Sequence, residues 1–119
     1  MLEAGSRQRT QPAPPHIVFE VLTDPDRDPA RPWLLLLDDE QAPDLIDADE
    51  PHFVVWSSLW QKRPDAEVRF DLASDGAAGT RLRWTLLVEK PMPDPALLGH
   101  LRKRLNELIN ANLRYTFGQ

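Results

Sequence analysis

EVRFDLASDGAAGTRLRWTLLV, residues 67–88, decides the architecture of this chain. Val68, Phe70 and Leu72 alternate with Glu67, Arg69 and Asp71. Leu82, Trp84, Leu86 and Val88 form a second alternating set, with Arg81 and Arg83 on the opposite parity. Period-two alternation marks strands with one buried face and one wet face. Asp75-Gly76 and Gly79 lie between the two runs and supply a hairpin turn. The stretch therefore reads as an antiparallel hairpin whose apolar face needs a cover.

The cover follows directly. After KPMPDP, residues 96–117 contain no proline and only one glycine, Gly99. Leu98, Leu101, Leu105, Leu108 and Asn112 fall on one stripe, flanked by Leu97, Ile109 and Leu113. Arg102, Lys103, Arg104 and Glu107 lie mostly off it, and the basic cluster is expected on the outer face. This pattern predicts an amphipathic helix of about five to six turns. Asp94 and Pro95 suit its N-cap and first position.

Upstream the signals are shorter. HFVVWSSLW, from His52 to Trp60, is aromatic and β-branched and predicts a strand. Trp33 to Leu37 is a brief apolar run, read as a strand turning at Asp38-Asp39-Glu40. Leu45 and Ile46 mark a weaker one. Pro14 and Pro15 open a short helix reaching Leu22, and Pro25 blocks its continuation. Residues Asp24 to Pro32 read as a turn or a one-turn helix. Residues 1–11 are polar, either a tail or a weak first strand, and the domain proper spans 12–119.

Composition narrows the function classes. The chain has 119 residues, enough for one domain. Hydrophobic residues make up 41% and charged residues 28%, which is globular rather than disordered. A formal net charge of -5 argues against nucleic acid as a partner, because phosphate binding needs a basic face. It also disfavours anionic membranes. With no cysteine, disulfides and thiolate chemistry are excluded. The N-terminus has no apolar signal region, and the longest apolar run is far too short for stable membrane insertion. A cytoplasmic location is the expectation. Abundant Ala, Arg, Asp and Pro suit a GC-rich bacterial gene.

The element order is weak strand, short helix, Pro-rich turn, antiparallel meander and long closing helix. It resembles the START-like superfamily of polyketide cyclases/dehydrases and lipid carriers. APPHIVFEVLTDPDR resembles that family's first helix, DGAAGTRLRWTL its penultimate hairpin, and LLGHLRKRLNELINANLR its closing helix. The resemblance covers roughly residues 12 to 117. It implies an α+β helix-grip fold, with an antiparallel sheet curved around the last helix. It also implies a pocket between sheet and helix for a small hydrophobic or amphipathic ligand, with no cofactor.

The residues expected to line that pocket are Trp56, Ser58, Phe70, Trp84, Leu101, Leu105, Leu108, Ile109 and Asn112. Each has a plainer alternative. The aromatic and leucine side chains would fill a small core in any case, and Asn112 could simply meet a neighbour or water. His16, His52 and His100 follow no metal-ligand spacing, so no metal is expected. Ser57 and Ser58 are not in a nucleophile elbow. The acidic stretch from Asp24 to Glu50 reads as a solvated face. Three functions stay open: a non-catalytic binder, a cyclase/dehydrase-like enzyme, and a protein-interaction module without a true pocket. An unprotected edge strand makes a homodimer one expected partner.

Overall fold

A computed structural model describes residues 1–118. The chain forms β1 (Leu2–Gln11), α1 (Pro15–Thr23), β2 (Leu45–Asp49), β3 (Phe53–Trp56), β4 (Glu67–Ser74), β5 (Thr80–Val88) and α2 (Pro95–Glu107). A π-helical turn, Leu108–Leu113, and a final short α3, Arg114–Thr116, continue the last helix. The five strands make one sheet in the order β1-β5-β4-β3-β2, and every pairing is antiparallel. This is the α+β arrangement expected from the sequence.

The alternation in the central hairpin decides which face is buried. Phe70 pairs with Trp84, Val68 with Leu86 and Leu72 with Leu82. All six side chains belong to one core cluster, which Leu101, Leu105, Leu108, Ile109 and Leu113 cover from the helix side. Gly76 takes a φ of 89° at the turn, where an L side chain would be strained. Asp75 accepts backbone N–H bonds from Ala77 and Gly79 there. At the start of α2, the Asp94 carboxylate accepts from the Leu97 amide at 2.9 Å, as the N-cap reading requires.

β1 is longer than its polar composition suggests. It pairs with β5 along its whole length, with a bulge between Glu3 and Gly5. The helix lies close against it. Arg102 donates to the Ala4 carbonyl at 2.8 Å, and a Cβ on Gly5 would stand 2.7 Å from Arg102 Nε. Only glycine admits the arginine at this distance.

Three local expectations are corrected. Trp33 to Leu37 forms no strand; its neighbourhood makes only an isolated bridge, Glu40 to Trp60. The backbone there is held by side chains instead of a partner strand. The strand expected over His52 to Trp60 stops at Trp56, and Ser58 turns the chain. The Ser58 hydroxyl donates to the Arg63 carbonyl and accepts from the Trp60 amide. Third, the basic cluster is not a uniform outer face. Lys103 is exposed, Arg102 caps β1, and Arg104 is buried.

Arg104 is buried because it meets Glu40, the one acidic side chain of residues 24–50 that is buried. The pair is bidentate, at 2.7 and 2.8 Å. Glu40 also accepts from the Leu37 amide and the Trp60 indole. Arg104 donates further to the Leu35 carbonyl and to Glu107. Burial alone would raise the Glu40 pKa, but the Arg104 and backbone hydrogen bonds outweigh it and hold the pKa below the usual range. A depressed folded pKa means stability that is present at neutral pH and lost as pH falls. Asp65, hydrogen-bonded to Arg63, is likewise lowered to about 2.

Glu40→Gln is expected to cost about 3–5 kcal/mol at pH 7, because it leaves a buried guanidinium without its counter-charge. Urea denaturation would measure this. The gap from the parent should narrow in acid, where the parent's own Glu40 takes up a proton.

Candidate functional site

Trp56, Phe70 and Trp84 all point into the space between sheet and helix. Trp56 and Phe70 meet edge to face with centroids 4.7 Å apart. The Trp56 indole donates to the Leu22 carbonyl at 2.8 Å, tying the end of α1 to the sheet. The Trp84 indole donates to Asn106 at 3.1 Å, tying the sheet to α2. Leu101, Leu105, Leu108 and Ile109 are fully buried in the same cluster. Ser58 is buried, and its hydroxyl is bonded to backbone groups of Trp60 and Arg63.

Asn112 stands apart, and the π-turn explains why. The sequence stripe assumed an α-helical step from Leu108 to Asn112. In the π-turn the buried set becomes Leu108, Ile109 and Leu113, so the buried face jumps by five residues. Asn112 is displaced to the edge of the helix, where it is half-buried. The turn is also held from β1, since the Gln11 amide donates to the Ile109 carbonyl at 3.1 Å.

At that edge lies a groove of about 380 Å3, lined by Arg31, Pro32, Trp33, Leu35, Asn112, Tyr115 and Thr116. One wall is the irregular segment after α1 and the other is the end of the closing helix. A smaller hollow of about 150 Å3 shares Arg31, Trp33 and Thr116 with it. Trp33 is 3% exposed and stacks on Trp56, with centroids 6.1 Å apart. The groove wall is thus continuous with the aromatic core. The Trp33 indole N–H is shut off from water and has no acceptor among the described residues. Such a donor costs free energy unless something satisfies it.

Of the nine residues expected to line a pocket, Asn112 borders this groove directly. Trp56 stands one ring behind it. Arg31, Trp33, Leu35, Tyr115 and Thr116 were not singled out from the sequence. Trp33 stands at the end of a run whose composition predicts a strand, and no periodicity marks the others. The structure also brings Asp39, Glu40 and His100 together. Both Glu40 oxygens are engaged by Arg104, so this group works as an ion-pair latch.

The chain matches no family model and no curated protein. Solved structures do match. The Aha1 dimer structure from Colwellia psychrerythraea superposes with a TM-score of 0.68 at 14% identity, over 96% of this chain and 94% of that one. CalU16 from Micromonospora echinospora gives 0.58 at 19% identity, over 94% and 79%. An HSP90 activator from Plasmodium falciparum gives 0.56 at 19%, over 91% and 90%.

The chain has the START-like helix-grip fold.

At these identities the likeness is one of fold, and fold does not choose among activities. Within this helix-grip fold the sheet, ordered β1-β5-β4-β3-β2, packs against the closing helix, and the groove opens beside that helix's last turns. No helix among the described residues is long and apolar enough to cross a membrane.

Trp33→Phe and Trp56→Phe both shrink a buried ring, but only the second breaks a hydrogen bond. Trp56→Phe should therefore cost about 1–3 kcal/mol more than Trp33→Phe, because the Leu22 carbonyl loses its donor. Parallel urea denaturation of the two variants would test this.

Proposed function

We propose that this domain binds a small molecule with an apolar body, without transforming it. The groove beside the last turns of the helix is the docking site. The observation that carries this reading is the groove itself: about 380 Å3, walled by Trp33 and Leu35 and edged by Asn112, Tyr115 and Thr116. That volume and that mixture of apolar wall and few polar groups suit a small-ligand site. Among the residues first expected to form the pocket, Trp56, Phe70, Trp84 and the helix leucines support the site from behind by holding Trp33 and the helix end in place. Asn112 is the one of them that would touch a ligand.

Octanoate is a suitable probe. Amide and indole NMR shifts are expected to change at residues 31–35 and 112–116 on titration. Thr116→Trp, which fills the groove at a half-buried surface position, should weaken binding at least tenfold while leaving the melting temperature nearly unchanged. Shifts confined to the sheet–helix core would move the site, and no shifts at millimolar probe would overturn the reading.

A second reading is a protein-interaction module, and one observation favours it. β2 is an edge strand, and its Leu45 and Ile46 are 51% and 50% exposed. Such an edge can add a strand from another chain. A homodimer paired edge to edge would set Asp47 and Asp49 against their copies. Sedimentation would then find an association that salt strengthens by screening and that Ile46→Lys abolishes.

A further inference from the structure

Resting on the groove reading above, we propose that the ligand carries a carboxylate at one end of its apolar body, and that Arg31 and the Trp33 indole bind it. Two independent features converge there. The first is the unsatisfied donor. Trp33 is nearly fully buried and walls both the groove and the smaller hollow beside it, yet its indole N–H has no acceptor among the described residues. The other three tryptophans do not share this state: Trp56, Trp60 and Trp84 each donate to a named oxygen. An oxygen atom arriving between the two hollows would satisfy the one indole left over.

The second feature is a free cation. Arg31 walls the same two hollows, and its guanidinium is in no ion pair and no hydrogen bond among the described residues. Arg7, Arg9, Arg81, Arg83 and Arg114 share this state among the described residues, and Arg31 is the one of the six that walls this groove. Its neighbours are otherwise occupied. Arg27 pairs with Glu20, and Asp28 accepts from the Ala30 amide. A guanidinium fork matches a carboxylate in shape and charge. The indole N–H and the guanidinium are both donors, so they select an acceptor group and reject a donor such as an ammonium.

The end of the closing helix opposes this preference. Asn112, Tyr115 and Thr116 lie in its final turns, where the helix carries partial negative charge. The balance therefore turns on Arg31. The apolar remainder of the ligand would lie along Leu35 and the Trp33 ring.

The test compares octanoate with octanol, which share a chain and differ in charge, in NMR titrations at pH 7.5. The parent protein should bind octanoate at least tenfold more tightly, the scale of one charge-assisted hydrogen bond. Octanoate should also move the Trp33 indole proton downfield. In Arg31→Gln, an exposed position whose side chain holds no other partner, the advantage should fall to about twofold with octanol binding unchanged. Equal binding of the two probes to the parent would overturn the carboxylate assignment while leaving the groove reading intact. An advantage that survives Arg31→Gln would overturn the role of Arg31. Failure of both probes would remove the groove reading, and this inference with it.

Discussion

The Glu40–Arg104 ion pair is the contact on which the rest of the candidate site depends. Residues 24–44 contain no helix or strand, so their backbone has no ladder to hold it. Glu40 and Arg104 replace that ladder. Between them they engage the Leu37 amide, the Leu35 carbonyl and the Trp60 indole, and anchor the whole to α2. Removing both charges from water costs several kcal/mol per ion, and such a pair offsets this only with good geometry and further hydrogen bonds. Both conditions are met. Its main effect is therefore positional: it fixes one route for a segment that could take many, and so sets Trp33 over Trp56.

From Trp33 an aromatic row runs inward through Trp56 to Phe70, which pairs across strands with Trp84. A chain of 119 residues has little interior to spare. The rings and the helix leucines occupy the space between sheet and helix, and the groove lies at the margin where that packing ends. The π-turn completes the margin. By moving Leu113 inward and Asn112 outward it gives the helix end one more apolar contact with the core and presents an amide to the groove. Irregular helical turns of this kind recur at functional sites, and here the irregularity has a visible consequence for which side chain faces out.

Much of this was legible in the residues. Alternation over 67–88, the turn glycines, the Asp94-Pro95 start and the leucine stripe define the hairpin, the closing helix and their shared core, because each depends on periods of two or 3.6 that sequence records directly. The Trp33–Leu37 run misled because a short apolar stretch has no period long enough to separate a strand from an extended segment pinned by side chains. The strand expected through Trp60 overran because Ser58 looks like any other polar strand residue until its hydroxyl finds the Arg63 carbonyl.

By itself, then, the sequence determined the fold class, the buried face of the sheet and the leucine stripe of the closing helix that packs on it. These follow from local patterning and from the need to bury apolar surface. Only the tertiary structure decided that Arg104 turns inward, that Trp33 is left with an unsatisfied donor, and that Arg31, Asn112 and Thr116 share a groove. The ion pair and the groove bring together residues 64 to 85 positions apart, and charge or hydrogen-bond partnership over such separations leaves no periodic trace in a single chain.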